Sequence, residues 1–109
     1  MNHEPPRHRY HEKPKERIVY AAKYRVGEPL TALIEVARHR SRDARVVEVP
    51  QYRIAVVHYT IDQYGWPEEK YLVVKANRFL TYSVDTHSVD TLDEAYFNRT
   101  YELYKGPEE

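Results

Sequence analysis

The chain has 109 residues, 31% of them charged, and its 17 Lys and Arg side chains are matched by 17 Asp and Glu side chains. Cysteine is absent, which excludes disulfides, thiolate metal sites and a cysteine nucleophile. The length suits one domain with a single hydrophobic core. No apolar run approaches the ~18 residues of a membrane span, and the polar N-terminus does not resemble a secretory signal. We therefore expect a cytoplasmic protein with no membrane partner.

Residue types that degrade at high temperature are rare in this sequence. Asparagine and glutamine together number five, and methionine occurs once, at position 1. Such a composition, rich in charge, is typical of hyperthermophile proteins. We expect the source to be a hyperthermophilic archaeon or one of its viruses.

The charges are unevenly distributed along the chain. Residues 1–45 hold 11 Lys and Arg against six Asp and Glu, whereas residues 46–109 hold six against 11. A basic first half and an acidic second half could bind a polyanion at one end or pair head to tail with a second copy. The simpler alternative is that the opposite charges meet within one folded chain.

Residues 1–16 form a polar, proline-rich segment with no aliphatic side chain beyond Met1. Such a segment buries too little apolar surface to offset the entropy lost on ordering. We predict that residues 1–16 are a flexible basic N-terminal arm and that residues 17–109 form a single α+β domain.

A strand and then a helix are predicted after the arm. Apolar and charged side chains alternate over residues 17–26, which indicates a strand with one buried face. Gly27 ends the strand, and the spacing of the next apolar residues predicts a helix from about Pro29 to Ser41. Residues 30–36 also fit the alternation of a strand, but Leu33 interrupts that pattern and favours the helix.

Four further strands are predicted between residues 46 and 84. Val46–Val49 is short, whereas Tyr52–Ile61 is apolar on nearly both faces, as is typical of a central strand. Residues 62–67 predict a turn, with Lys70–Ala76 as the hairpin partner. A reversal at Asn77 then leads to a last strand, Phe79–Val84.

A C-terminal helix completes the predicted fold. Thr91 and Glu94 match a capping box that opens a helix, and Gly106 predicts its end near Lys105. Aromatic side chains on two stripes of this helix indicate burial against the sheet and against a second subunit. The predicted class is α+β, with a single antiparallel meander sheet of about five strands in the order β-α-β-β-β-β-α.

Motifs that specify a chemistry are missing. The sequence has three glycines, too few for a phosphate-binding loop or a dinucleotide fingerprint. No serine lies in a nucleophile elbow, and no two histidines have the i, i+4 spacing of zinc proteases. The sequence therefore favours a binding protein over an enzyme and predicts no cofactor.

Two weaker arrangements support a metal-assisted hydrolase as a third hypothesis. His87 lies between Asp85 and Asp90, and an imidazole with flanking carboxylates can hold a divalent ion or polarise a water molecule. The ordinary interpretation of that segment is a polar loop leading into a helix cap. The residue types of a metal-dependent phosphodiesterase also occur around the predicted turn, as Asp62, Glu68 and Lys70.

Nucleic-acid binding is the leading functional hypothesis. Arginine pairs with phosphates in a bidentate manner, and tyrosine offers a face on which bases stack. The candidate nucleic-acid-binding residues are Arg7, Arg9, Tyr10, Lys13 and Lys15 in the arm and Arg38, Arg40, Arg42 and Arg45 near the end of the first helix. The zero net charge is the weak point of this hypothesis, because nucleic-acid-binding proteins are usually basic overall.

The alternative function is structural, as a homodimer formed through the tyrosine-rich C-terminal helix or through an edge strand. The chain has 11 tyrosines, more than a core of this size can bury, so some must be exposed or interfacial. Tyrosine and arginine are enriched in interface cores. The two hypotheses are compatible, since small nucleic-acid-binding proteins often dimerise.

Overall fold

A computed structural model describes residues 9–12 and 17–103 of the chain. The α+β class is confirmed, because these residues form both helices and antiparallel strands. In chain order the elements are β1 (Arg9–Glu12), β2 (Ile18–Lys23), α1 (Thr31–Arg38), β3 (Arg45–Val49), β4 (Arg53–Ile61), β5 (Pro67–Lys75), β6 (Phe79–Ser83), β7 (Ser88–Leu92), α2 (Glu94–Thr100) and β8 (Tyr101–Leu103).

The strands form two sheets, so the prediction of a single meander sheet in the order β-α-β-β-β-β-α is wrong. The five-stranded sheet has the order β7-β6-β2-β1-β8, and the three-stranded sheet has the order β3-β4-β5. The sheets separate at the reversal predicted at Asn77, which adopts a φ of 66°. There the Tyr24 N–H donates to the Arg78 carbonyl at 2.9 Å, and the Asn77 N–H donates to the Tyr24 carbonyl at 2.8 Å. These bonds attach β6 to the end of β2 instead of beside β5.

The main core lies between the two sheets and is closed by α1. The helix predicted over residues 29–41 is confirmed, and it buries Leu33, Val36 and Ala37. These side chains pack with alternate residues from both sheets, including Ile54 of β4 and Leu80 of β6. The five-stranded sheet therefore has one face that points into the main core.

A second, smaller core lies on the other face of the five-stranded sheet. Phe97 of α2 is 2% exposed and stacks on Phe79 of β6 at a centroid distance of 3.9 Å. Tyr10 of β1 meets the Phe97 ring edge to face at 4.8 Å, and the Tyr101 ring lies 5.1 Å from it. Both faces of this sheet are thus covered by a helix, α1 on one side and α2 on the other.

The C-terminal helix is shorter than predicted and begins later. Its N-cap is Asp93, whose carboxylate accepts a hydrogen bond from the Tyr96 N–H at 2.7 Å. Thr91, the predicted cap, lies in β7. The helix ends at Thr100, and Tyr101–Leu103 forms β8 against β1. Tyr101 and Leu103 fit the apolar stripes of a helix, which is why the predicted helix included them. They also fit the two-residue period of a strand.

Replacing the observed cap tests the revised helix boundary. Asp93→Ala is expected to lower the free energy of unfolding by about 1 kcal/mol, the usual contribution of an N-cap side chain. Urea unfolding followed by circular dichroism measures this change. Thr91→Ala is the matched control and should have the smaller effect, because the Thr91 hydroxyl only accepts from Arg78 Nε at 3.3 Å. A larger loss at Thr91 would favour the capping box instead.

Opposite charges from the two halves of the chain meet within the fold, as the simpler alternative predicted. Among the described residues, pairs that join residues 1–45 to residues 46–109 include Lys23–Glu94 at 2.8 Å, His11–Glu102 at 3.1 Å, Arg45–Glu69 at 3.2 Å and Arg17–Asp85 at 3.9 Å. Residues 9–12, inside the predicted 1–16 arm, form β1 and pair with β2 and β8. The rest of that segment lies outside the described residues.

Neither helix within 9–12 and 17–103 is long and apolar enough to span a bilayer.

Candidate functional site

A cleft of about 370 Å³ lies where β5, at the edge of the three-stranded sheet, approaches β7, at the edge of the five-stranded sheet. Its volume falls within the range of ligand sites, about 300–1,000 Å³. The three-stranded sheet contributes His58, Thr60 and residues 70–72 to the lining. Residues 87–89 line the other side, and Arg40 reaches the cleft from the loop after α1.

Four of the side chains that line this cleft are basic. Arg40, His58, Lys70 and His87 line it, and no carboxylate from the described part of the chain is among the lining residues. Glu68 is the nearest opposing charge on β5, with its Oε1 3.5 Å from Lys70 Nζ, and it offsets part of the lysine charge. Arg40 and Lys70 supply the positive charge of the lining, and a concave surface focuses its field on ligands of the opposite sign. We therefore call this surface the basic cleft.

The β4–β5 hairpin places His58 beside Lys70. Its turn starts at Asp62, whose Oδ1 accepts hydrogen bonds from two backbone N–H groups of the turn, at 2.8 and 2.9 Å. This turn sets Ile61 opposite Pro67 and, three pairs further along, His58 opposite Lys70. Side chains directly opposite one another in a ladder share a face, with Cβ atoms about 5 Å apart. The turn thus fixes the register that brings the two bases together.

The end of α1 places Arg40 at the cleft. The Arg40 N–H donates to the Ala37 carbonyl at 3.0 Å in the last turn. The preceding His39 ring stacks on Tyr20 at 3.9 Å and lies 5.6 Å from the Tyr82 ring. Tyr20 and Tyr82 are cross-strand neighbours on β2 and β6. This aromatic stack holds the C-terminal end of α1 against the five-stranded sheet.

His87 connects the β6–β7 turn to Arg40. Its backbone has a φ of 55°, a left-handed conformation that is uncommon for residues other than glycine. Its Nε2 lies 3.3 Å from Arg40 Nη1, and its Nδ1 lies 2.6 Å from the Tyr82 hydroxyl. Because arginine only donates, Nε2 must accept, and Nδ1 must carry the proton and donate to Tyr82. The two contacts fix the orientation of the imidazole and position the Arg40 side chain.

The surroundings of His58 disfavour its protonated form. Burial, together with the positive charges of Arg40 and Lys70, lowers the pKa of His58 from its ordinary value. Its Nδ1 is buried and has no hydrogen-bond partner among residues 9–12 and 17–103. Buried polar atoms are nearly always hydrogen-bonded, so this nitrogen is an exception among the described residues. Binding of an anion would favour the protonated form of the imidazole, so the protein would take up a proton when the anion binds.

The histidines give the free protein an expected pH dependence of stability. Burial also lowers the pKa of His39, against an opposing effect of Glu35, so His39 and His58 both titrate below the ordinary 6.5 in the folded state. Between those folded values and 6.5 the unfolded chain binds more protons. The contribution of these histidines to the free energy of unfolding should therefore be fully present above about pH 6.5. It should be lost as the pH falls through this window.

Urea unfolding at about pH 7.5 and about pH 5.5 measures this dependence above the range in which ordinary carboxylates titrate. His58→Gln should reduce the difference between the two free energies, because the glutamine cannot be protonated. A stability that rises on acidification, or an unchanged pH difference in the variant, would contradict the assignment.

The arm residues predicted to bind nucleic acid are only partly described. Arg7, Lys13 and Lys15 lie outside the described residues. Tyr10 packs on Phe97, and burial raises its pKa, so its ring contributes to the second core. Arg9 lies on the opposite face of β1, directly across from Tyr20. Since Tyr20 carries the His39 stack, Arg9 is on the same side of the five-stranded sheet as the end of α1.

The four arginines predicted near the end of the first helix are spread over different surfaces. Arg40 lines the basic cleft. Arg38 Nε donates to the Ala44 carbonyl at 3.2 Å, and Arg42 is exposed beyond the helix. Arg45 lies on the other face of the three-stranded sheet, where its Nη2 is 3.2 Å from Glu69 Oε2. Arg40 and Arg45 therefore do not share a surface.

The residues considered for metal chemistry have other partners. Asp85 Oδ2 lies 3.9 Å from Arg17 Nε, and Asp90 Oδ1 accepts from the Thr91 N–H at 2.8 Å. His87 contacts Arg40 and Tyr82, as described above. Within residues 9–12 and 17–103, no group of three or more potential ligands comes together. Asp62 caps the hairpin turn, whereas Glu68 and Lys70 pair with each other.

From the sequence, His87 and Lys70 were predicted only as members of candidate metal sites. Their proximity to Arg40 was not predicted. The available signal was the turn at residues 62–66, which fixes the hairpin register and hence the pairing of His58 with Lys70.

The chain was also compared with protein families, curated proteins and solved structures, and none of them matches it. The basic cleft is therefore interpreted from its own chemistry.

Proposed function

We propose that the protein binds nucleic acid and that the basic cleft holds phosphate groups of the backbone. The observation that supports this proposal is the convergence of Arg40, His58, Lys70 and His87 on one cleft with no lining carboxylate. Arginine and lysine make charge-assisted hydrogen bonds to phosphate oxygens. His58, once protonated, would add a further positive charge to the lining.

The zero net charge is compatible with this function because several acidic residues are paired away from the cleft, although Glu68 offsets part of the Lys70 charge. Glu69, Glu94 and Glu102 pair with basic residues outside the cleft lining. Their charges are compensated locally, while Arg40 has the His87 imidazole as its hydrogen-bond partner. Binding of a polyanion depends on this local field more than on the total charge.

Fluorescence anisotropy with a labelled oligonucleotide at several salt concentrations tests the proposal. Each phosphate contact contributes a slope of about −0.7 to −0.9 to the plot of log affinity against log salt. Contacts from Arg40 and Lys70 together predict a negative slope with a magnitude of at least about 1.4. Binding that does not depend on salt, or no binding at all, would contradict the proposed function.

A homodimer is the second candidate, supported by an exposed apolar surface on the three-stranded sheet. On the face that points away from the main core, Val47, Tyr71 and Val73 are exposed by 39%, 65% and 44%. Antiparallel sheets usually present polar side chains on a solvated face. Helix α2, the predicted dimer interface, offers less exposed apolar surface, because Phe97 is buried in the second core. We therefore place the candidate interface on this outer sheet face.

Analytical ultracentrifugation tests the dimer. A dimer that Val73→Lys dissociates would support it, since a lysine on each copy would bring like charges together in an isologous interface. Val84→Lys is the matched control, because Val84 is similarly exposed, at 46%, but lies outside the three-stranded sheet. A monomer at high concentration would exclude this candidate.

A further inference from the structure

We propose that the nucleic acid held by the basic cleft is single-stranded and that its bases stack on Trp66 and Tyr64 at the tip of the β4–β5 hairpin. This inference rests on the proposed function. It adds a second contact surface, which we call the aromatic tip, and it names the class of nucleic acid that the two surfaces together would bind.

The aromatic side chains at the tip are unusually exposed. Tyr64 is 76% exposed and Trp66, the one tryptophan of the chain, is 68% exposed. Ile61, the last residue of β4, is 68% exposed beside them. Large apolar side chains grouped at a loop tip gain nothing from the core and typically mark a binding surface.

The backbone of the tip is ordered before any ligand binds. Asp62 Oδ1 accepts from the Tyr64 and Trp66 N–H groups at 2.8 and 2.9 Å. The Asp62 N–H donates to the Trp66 carbonyl at 2.8 Å, and the Gly65 N–H donates to the Asp62 carbonyl at 3.0 Å. Gly65 supplies the φ of 86° that closes this turn. A fixed turn lowers the entropy lost when its aromatic side chains engage a ligand.

The aromatic tip and the basic cleft lie on the same hairpin at a spacing that suits one strand of nucleic acid. Ile61 and Pro67, which border the tip, are three residue pairs from His58 and Lys70 in the cleft. At about 3.3 Å per residue this separation is about 10 Å. Stacked nucleotides advance about 3.4 Å each, so a strand with a phosphate in the cleft reaches the tip within about three nucleotides.

Stacking favours a single strand over a duplex. In a duplex each base face is covered by its neighbours, whereas an unpaired base can place its face on an aromatic side chain. Proteins that bind single strands combine a basic groove for the backbone with aromatic side chains for the bases. The β4–β5 hairpin presents these two elements side by side.

The fluorescence of Trp66 tests the inference directly, because no other tryptophan contributes to the signal. A short oligodeoxythymidylate should quench the emission on binding, and a duplex of the same length should bind at least about tenfold more weakly, given the contribution of each stacked base. Trp66→Ala should weaken oligodeoxythymidylate binding by about tenfold in an anisotropy titration. Circular dichroism should show that this exposed substitution leaves the fold unchanged.

Tyr52→Ala is the matched control, because Tyr52 is 72% exposed but precedes β4 at the opposite end of the hairpin. It should leave binding unchanged. Salt-dependent binding with unaltered Trp66 emission and a neutral Trp66→Ala would overturn the stacking inference while the proposed function stands. Equal affinity for the duplex would also overturn it. No oligonucleotide binding, including a case in which only anionic lipid vesicles change the emission, would overturn both.

Discussion

Neutralising the two permanent charges of the basic cleft should reduce nucleic-acid affinity by about 30- to 150-fold. This estimate takes each change from a charge-assisted to a neutral hydrogen bond as about 1–1.5 kcal/mol. The variant is Arg40→Gln combined with Lys70→Gln. Glutamine is polar and uncharged, so the variant removes both positive charges and keeps a hydrogen-bonding side chain at each position. Neither side chain is buried, and the free energy of unfolding should change by less than about 1 kcal/mol.

The salt dependence gives a second readout of the same variant. Losing two phosphate contacts should reduce the magnitude of the slope of log affinity against log salt by about 1.4 to 1.8. Arg99→Gln combined with Lys75→Gln is the matched control. It makes the same change in charge and residue type at two exposed positions, on α2 and on the far end of β5, that do not line the cleft. Equal losses in both double variants would show diffuse attraction to the whole molecule instead of binding in the cleft.

The elements that the sequence predicted well are those that depend on local patterns. The helix near residues 29–41 follows from its apolar spacing and appears as α1, Thr31–Arg38. The strand Tyr52–Ile61 and its hairpin partner follow from β-branched runs on either side of a turn, and they appear as β4 and β5. Near neighbours in the chain provide the stabilising contacts in each case.

The division into two sheets depends on contacts between distant residues. Asn77 was predicted as a reversal, but a reversal alone does not say which strand the chain joins next. The bonds between Tyr24 and residues 77–78 decide it, and they link positions more than 50 residues apart along the chain. Likewise β1 lies in a segment whose own composition does not favour order. Its order comes from pairing with β2 and β8 and from the contact of Tyr10 with Phe97.

The candidate site was less predictable than the fold for the same reason. Arg40 was named from a run of arginines, yet three different elements bring it together with Lys70 and His87. Hairpin register alone pairs His58 with Lys70, and that step was accessible from the turn at residues 62–66. The approach of β7 to β5 was not, because it depends on how the two sheets pack around α1.

The second core should be the most sensitive part of the fold to truncation, and Phe97→Ala should lower the free energy of unfolding by about 3–5 kcal/mol. Phe97 is the buried residue of α2, and its ring contacts those of Phe79, Tyr10 and Tyr101. The alanine would remove the contacts that attach α2 to the five-stranded sheet and that support its strands β1 and β8. A small domain has a total stability of about 5–15 kcal/mol, so this loss is a large fraction of the whole.

Urea unfolding measures the loss, and hydrogen exchange locates it. Backbone amides of β1 and β8 should exchange faster in the variant, while those of β4 should be much less affected, because β4 lies in the other sheet. Phe97→Leu keeps most of the volume and should lose less, about 1–1.5 kcal/mol, which keeps the test informative if the alanine variant does not fold. Tyr96→Ala on the same helix is the control, since Tyr96 is 43% exposed and should lose no more than about 1 kcal/mol. A Phe97→Ala variant as stable as the Tyr96→Ala control would mean that α2 does not hold β1 and β8 in place.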